Sequence, residues 1–118
     1  MSALSSTTDA GLVARCRTGD DQAWEELVRR FSRYVLAIAQ QGFRMSREDA
    51  EDVFQEVFAR TYERLGDLRN DDALRPWIAQ LTRRLCIDRI RADDGRVREA
   101  EQQAQRAHQA AAMLANER

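Results

Sequence analysis

Large apolar residues recur at intervals of three and four positions along most of the chain, and this spacing constrains the fold more than any other feature. It is clearest between residues 50 and 65, in the stripe Ala50, Val53, Phe54, Val57, Phe58, Thr61 and Leu65. Such spacing places the apolar side chains on one face of an α-helix. Alternation typical of strands is absent, and the 118 residues include one proline. The sequence therefore predicts an all-α fold.

Capping residues divide this pattern into four helices, which we expect to form a compact bundle. The expected N-caps are Asp9, Asp20, Ser46 and Asp72, whose short polar side chains can accept hydrogen bonds from unpaired amides. The first three helices are expected to close at Gly19, Gly42 and Gly66, and the fourth to run to about Ala92. Gly66 is expected to adopt the left-handed conformation that often follows a helix.

The segment after Ala92 has few large apolar residues and is rich in Ala, Gln, Glu and Arg. This composition is typical of a loose helix or of a solvated linker. We therefore expect an N-terminal tail at residues 1–8, one helical domain at 9–92 and the start of a linker at 93–118. The segment contains no terminating signal, so the chain is expected to be part of something longer.

Several classes of protein are disfavoured by the sequence. Cys16 and Cys86 are isolated and His108 is the single histidine, so we expect reduced thiols, no metal site and a cytoplasmic location. We expect no signal peptide, and an apolar run such as 35–39 is too short to cross a membrane. No nucleophile–base constellation or glycine-rich phosphate loop is present. We expect no catalytic residues and no cofactor.

The net charge of -1 conceals two regions of opposite sign. Residues 46–66 contain six acidic residues and three Arg, whereas residues 74–91 contain five Arg and one Asp. In the first region Glu48, Asp52 and Glu56 follow one another at one-turn intervals on the outward side of the third helix, where like charges repel. Such a surface is either a solvated face or a docking surface for a basic helix of another protein.

The fourth helix carries the positive charge. Arg84 and Arg91 lie on one predicted ridge, with Arg83 beside it. Guanidinium groups bind phosphates and stack on bases, although a solvated face is again the alternative. Trp77 lies beside the apolar stripe of this helix, so we expect it in the core. A further cluster on the second helix, in which at least one member is expected to be structural, comprises Arg29, Arg30 and Arg33.

An acidic helix, a polar loop and a basic helix with Trp near its start follow one another in the chain. In this order of parts the chain resembles region 2 of a bacterial RNA polymerase sigma factor of the extracytoplasmic-function type. The resemblance runs from about residue 10 to 92 and is carried by RTGDDQAWEELVRRF at 17–31, DAEDVFQEVFARTYERL at 49–65 and LRPWIAQLTRRLCIDRIR at 74–91. Its most specific part is D-x-x-Q-E, formed by Asp52, Gln55 and Glu56.

The resemblance implies two binding surfaces. The third helix would dock on the clamp helices of the polymerase β′ subunit, through Asp49, Asp52, Gln55, Glu56 and Arg60. The loop from Gly66 to Ala73 and the fourth helix would capture the non-template strand of the promoter's minus-ten element as the duplex opens, with one base flipped into a pocket formed by the loop. The implied DNA-binding residues are Asn70, Asp71, Arg75, Trp77, Arg83, Arg84 and Arg91. An anti-sigma factor is implied as a further partner.

Two departures from the family pattern leave alternatives open. Family members commonly have Asn at the position of Arg84. The resemblance therefore does not determine which minus-ten base this chain prefers, and Arg84 is a candidate for contact with phosphate and not with a base. We expect the family's second DNA-binding domain to be absent, which would make the chain a fragment or a one-domain relative. Two other functions are compatible with a helical chain of this composition. One is a helix-turn-helix regulator of duplex DNA, which predicts a turn of about three or four residues before its recognition helix. The other is a helical interaction module that binds no nucleic acid.

Overall fold

The structure is a computed structural model that describes residues 4–116. Over this range the chain forms four α-helices and no strand, which confirms the all-α prediction. The helices are α1 (Asp9–Arg17), α2 (Asp21–Ala37), α3 (Arg47–Arg64) and α4 (Leu74–Asn116). A π-helical turn, Ile38–Gly42, follows α2, and the 3-10 turns Leu65–Asp67 and Asp71–Ala73 connect α3 to α4.

The chain divides into two units, Met1–Cys86 and Ile87–Arg118. The first unit holds α1, α2, α3 and the beginning of α4, and it contains the core. The second unit continues α4 as far as Asn116, and most of its described side chains are exposed. Residues 93–116 are therefore helical, as one of the two hypotheses for this segment predicted, and the expected end of the fourth helix near Ala92 is wrong. No helix within residues 4–116 has both the length and the apolar character needed to cross a membrane.

The core of the first unit is formed by one face of each of its helices. Its largest fully buried side chains are Leu12, Val13, Leu27, Phe31, Val35, Val57, Thr61, Leu74, Ile78, Thr82 and Cys86. Burial of a Val, Leu, Ile or Phe side chain contributes about 1.5–3 kcal/mol each. The two buried threonines satisfy their hydroxyls locally, because Thr61 donates to Val57 O and Thr82 to Ile78 O, both at 2.7 Å.

Short polar side chains begin the first three helices. Asp20 Oδ1 accepts the amide of Gln22 at 3.1 Å at the start of α2, and Ser46 Oγ accepts the amide of Asp49 at 3.1 Å at the start of α3. Both caps agree with the sequence. The expected cap Asp9 is wrong: Thr8 Oγ1 accepts the amide of Gly11 at 3.0 Å, and Asp9 occupies the first turn of α1.

Two further capping predictions are wrong because the connection from α3 to α4 is more helical than expected. Gly66 lies in the 3-10 turn Leu65–Asp67, whereas Gly19 after α1 is the described glycine with a positive φ, of 86°. Leu65 is buried, so continued right-handed turning keeps the chain against the core after α3. Asp72 does not cap α4; Asn70 Oδ1 accepts the Asp72 amide at 3.0 Å and begins the 3-10 turn that leads into α4.

Arg30 ties the N-terminal segment to α2, which confirms that one arginine of the cluster at 29–33 is structural. Its guanidinium donates to Thr7 O at 2.7 Å and to Leu4 O at 3.2 Å, and it pairs with Asp9 Oδ1 at 3.1 Å. Glu26, itself buried, lies 3.7 Å away on the preceding turn. The side chain thus satisfies carbonyl groups that have no helical partners.

Candidate functional site

The outward side of α3 presents an acidic ridge, the name used here for Glu48, Asp52, Gln55 and Glu56, all of which are exposed. The ridge is fixed in this orientation by the opposite face of the same helix, where Val53 and Val57 are buried in the core. Rotation of α3 about its axis would expose these apolar side chains to water, which is unfavourable. The predicted docking residues Asp52, Gln55 and Glu56 are therefore held at the surface by packing.

Ion pairs within α3 accompany the acidic ridge. Arg60 Nε donates to Glu56 Oε1 at 2.7 Å, with about half of the Glu56 side chain exposed, and Arg47 Nε lies 3.2 Å from Glu51 Oε1. The pair has the i, i+4 spacing that favours ion pairs along one helix. Exposed pairs of this kind contribute about 0–1 kcal/mol, so an external guanidinium can replace Arg60 at little cost. The fifth predicted contact, Asp49, is half-buried in the first turn of α3.

The loop between α3 and α4 is held by Arg17 at the end of α1. Its guanidinium donates to Leu68 O at 2.7 Å and to Leu65 O at 3.2 Å, and it forms an ion pair with the carboxylate of Asp71. Leu65 and Leu68 are themselves buried. The loop is therefore anchored by two buried apolar side chains and by the guanidinium of Arg17.

The two loop residues predicted to contact a base have different surroundings. Asp71 is half-buried and its carboxylate is paired with Arg17, so it positions the loop. Asn70 is exposed; its Oδ1 accepts the Asp72 amide, which leaves its Nδ2 group as the hydrogen-bond donor that can meet a base edge. Arg69, which precedes Asn70, is also exposed and adds a positive charge to the loop.

The first part of α4 presents a basic face, defined here as Arg75, Arg83 and Arg84, all exposed. The Arg75 guanidinium lies over two rings of α2, at 5.0 Å from the centroid of Phe31 and 5.1 Å from that of Tyr34. Trp77 is half-buried and packs against the core, as the apolar spacing of α4 predicts. Arg91 is exposed in the second unit.

The thiols offer no reactive group near neutral pH. Burial, and secondly the charge of Asp20, raise the pKa of Cys16, and burial raises the pKa of Cys86 to about 11. Cys16 lines a cavity of about 350 Å³ whose wall also includes Trp24 and Tyr62. Across residues 4–116 no group of His, Cys, Asp or Glu side chains is arranged to hold a metal ion. The described surface therefore presents groups suited to binding, namely charges, aromatic rings and hydrogen-bonding groups.

Sequence reasoning missed Arg17 and Arg69. Arg17 lies 54 positions from Asp71, and helical spacing reports only on neighbours within one or two turns. The sequence marks Arg17 only by its place at the end of a short helix, where arginine is common because the helix dipole favours a positive charge there. Arg69 was detectable, because it is a basic residue inside the polar loop to which the family resemblance assigns strand binding as an expectation.

Comparison with known proteins gives one family. The sequence model described as Sigma-70 region 2 matches residues 27–96, a range that includes the acidic ridge, the loop and the basic face. No solved structure matches the chain.

Several curated relatives are similar over the same region. The ECF RNA polymerase sigma factor SigM of Mycobacterium tuberculosis is 33% identical over 84 residues, which cover 71% of this chain and 42% of SigM. The RNA polymerase sigma-H factor of Pseudomonas aeruginosa is 32% identical over 66% of this chain and 40% of its own length. The ECF RNA polymerase sigma-E factor of Escherichia coli K12 is 32% identical over 63% and 38%. The chain thus spans less than half of each of these relatives.

Replacing Arg17 with Ala should loosen the loop while leaving the helices folded. The change removes the ion pair with Asp71 and two hydrogen bonds to loop carbonyls, and we expect a loss of about 1–2 kcal/mol of stability. Amide exchange at Leu68 and Ala73, whose N–H groups are bonded within the loop, should accelerate about 5- to 30-fold, the factor that corresponds to this loss. Arg15→Ala, an exposed arginine of the same helix, is the control. Equal exchange in both variants would contradict the anchoring role.

Proposed function

Because the chain belongs to the Sigma-70 region 2 family, we propose that it is the module of an extracytoplasmic-function sigma factor that docks on core RNA polymerase and opens the promoter. The resemblance to region 2 of such factors is confirmed by the family match and by relatives such as SigM. The proposed role is binding in transcription initiation, in the cytoplasm, without a catalytic step. The identities of the docking subunit and of the DNA element are part of the proposal.

The observation that carries the proposal is the separation of opposite charges onto two exposed surfaces of the first unit. The acidic ridge lies on α3 and the basic face on α4, and the core residues of each helix fix which side faces outward. A negative surface suits a basic protein partner, and a positive one suits a nucleic acid strand. A chain that bound only one of these partners would need only one of the surfaces.

Docking on polymerase would use the acidic ridge. The partner we propose is the pair of clamp helices of the β′ subunit, which would supply arginines to Asp52 and Glu56 while Gln55 contributes amide hydrogen bonds. Asp49 and Arg60 would flank this contact. Since Arg60 and Glu56 form an exposed pair, the incoming guanidinium would exchange with Arg60 rather than break a buried bond. Complementary potentials would speed the encounter and fix the register of the helices.

Strand capture would use the loop and the basic face. The non-template strand of the minus-ten element would lie along Arg75, Arg83 and Arg84 of the first unit. In the second unit, Arg91 is a separate candidate for phosphate contact. A flipped base would enter the loop, where Asn70 and Arg69 offer donors to its edge. Flipping a base costs a few kcal/mol, and a loop already held by Arg17 and Asp71 would not add its own ordering entropy to that cost.

Two alternative functions explain less of the structure. A helix-turn-helix regulator would have a short turn before its recognition helix, whereas residues 65–73 separate α3 from α4 and contain two 3-10 turns. A pure interaction module would leave the basic face of α4 without a role. An anti-sigma factor that covers the acidic ridge and the basic face remains part of the proposal as a regulatory partner.

Reversing the charges of the acidic ridge should abolish docking. We expect Asp52→Arg combined with Glu56→Arg to weaken the affinity for core polymerase about 100-fold, because arginines of the partner would then face arginines. The control is Glu99→Arg with Glu101→Arg, which makes the same change of net charge in exposed residues of the second unit. The measurement is fluorescence anisotropy of the labelled chain titrated with core enzyme. Equal affinity of both variants would exclude the ridge as the docking surface.

Reversing charges on α4 should weaken strand binding and its dependence on salt. We expect Arg84→Glu with Arg91→Glu to reduce the affinity of the polymerase-bound chain for a single-stranded minus-ten oligonucleotide about tenfold or more. The slope of log affinity against log salt should fall by about 1.4, which corresponds to two lost phosphate contacts on a single strand. Arg98→Glu with Arg106→Glu provides the matched control in exposed positions. An unchanged slope in the first variant would refute the DNA assignment.

A further inference from the structure

The second unit of the chain is one long helix whose side chains are almost all exposed. Its part of α4 runs from residue 87 to 116, which corresponds to about 45 Å at 1.5 Å per residue. From Arg96 to Asn116 every side chain is exposed. A helix of this length gains most of its stability from a packed face, so the side chains that it leaves uncovered are candidates for contact with another molecule.

Apolar side chains return along this helix at alternating intervals of three and four residues. The α4 stripe, as it is called here, is formed by Ile90, Asp93, Val97, Ala100, Ala104, Ala107, Ala111 and Leu114. Its three large apolar members are exposed, Ile90 by 37%, Val97 by 56% and Leu114 by 68%. The repeat of seven continues for more than three turns of the pattern, which is typical of a helix that packs against a second helix in a coiled coil.

The charged residues that border the α4 stripe are complementary between two parallel copies of the chain. In a parallel coiled coil, a residue on one border lies near the residue five positions later on the opposite border of the partner helix. Arg89 would therefore meet Asp94 of the second copy, and Arg96 would meet Glu101 of the second copy. The two-fold symmetry of a dimer makes each of these contacts twice.

The same charges disfavour the antiparallel arrangement. If the α4 stripes of two copies ran in opposite directions, Ile90 would lie opposite Leu114 and Ala100 opposite Ala104. Glu101 of one copy would then lie beside Glu101 of the other, and like charges in this position repel. The charge pattern therefore selects the parallel orientation.

We propose that residues 90–114 of α4 bind the same residues of a second copy of this chain as a parallel two-stranded coiled coil. A second copy fits because this chain itself carries the arginines of one border and the acids of the other. The interface lies entirely within the second unit. It is independent of the polymerase and DNA contacts proposed for the first unit.

Two features of the α4 stripe limit the strength of this dimer. Four of its eight members are alanines, which bury little apolar area. Asp93 would face Asp93 of the second copy, although it already pairs with Arg96 and, at 3.8 Å, with Arg89 of its own helix. A polar residue at such a position lowers stability while fixing the register. We expect a dissociation constant on the order of 10 µM, so a labelled chain at about 10 nM is monomeric when its affinity for polymerase is measured.

Sedimentation equilibrium of the 118-residue chain tests the association. The mass of wild type should rise from 13.6 kDa towards twice this value as its concentration increases from about 1 to 100 µM. Leu114→Glu should weaken the dimer about tenfold or more, because it places a charge in the α4 stripe. Met113→Glu is the matched control, since Met113 is 67% exposed and lies next to Leu114 but outside the stripe. Ala104→Leu should strengthen the dimer about tenfold, because it adds apolar area to the stripe.

Disulfide formation tests the parallel register. In a parallel dimer Ala104 lies opposite Ala104 of the second copy, so Ala104→Cys should form a disulfide-linked dimer in a glutathione redox buffer. Gln102→Cys, on the side of the helix away from the α4 stripe, should form at least about tenfold less. Circular dichroism of each variant confirms that it is folded and helical.

Three results would overturn the inference. They are a wild-type chain that stays monomeric at 100 µM, equal association of Leu114→Glu and Met113→Glu, and equal disulfide formation by the two cysteine variants. The first would show that the exposed helix is stabilised by its own composition, since Ala, Gln, Glu and Arg favour helices. None of these results bears on the proposed function, because the acidic ridge, the loop and the basic face lie in the first unit.

Discussion

The two-sided character of α3 is the constraint on which the other surfaces depend. Its buried stripe, with Val53, Val57 and Thr61 in the core, fixes the rotation of the helix about its axis. Asp52 and Glu56 directly precede the buried Val53 and Val57, and they are therefore exposed on the opposite side of the helix. The free energy of burying the stripe far exceeds the repulsion between acids at one-turn intervals, which is about 0.2–0.5 kcal/mol per pair. The fold can therefore maintain a charged surface that a free helix would disfavour.

The loop between α3 and α4 depends on a second, long-range constraint. Arg17 reaches from α1 to two loop carbonyls and to the Asp71 carboxylate, so the end of one helix determines the shape of the connection between two others. Arg30 does the same for the segment before α1, through Leu4, Thr7 and Asp9. In both places a guanidinium donates to backbone carbonyls that lie outside the α-helices, where five donors in a rigid plane suit the task. Arginine thus serves as scaffold in some positions and as surface charge in others.

Much of the fold was predictable because it follows from local chemistry. The spacing of apolar residues gave four helices, and Asp20 and Ser46 marked two starts correctly, since a cap bonds to an amide two or three residues away. The errors at Gly66 and Asp72 arose where tertiary burial of Leu65 and Leu68 extended helical turning beyond the local signals. The π-helical turn at Ile38–Gly42 and the partnership of Arg17 with Asp71 could not be foreseen, because neither has a local sequence signal.

The exposed positions of the predicted docking residues follow from helix geometry, while their function depends on what they meet. Gln55 lies in the middle of the acidic ridge, is exposed and is uncharged, so a photo-crosslinking residue at this position perturbs the surface least. The most direct measurement is to place such a residue at position 55, assemble the chain with core polymerase and promoter DNA, and identify the crosslinked product. Our account predicts crosslinking to the β′ subunit and none to DNA. Crosslinking to DNA, or only within the chain itself, would contradict it.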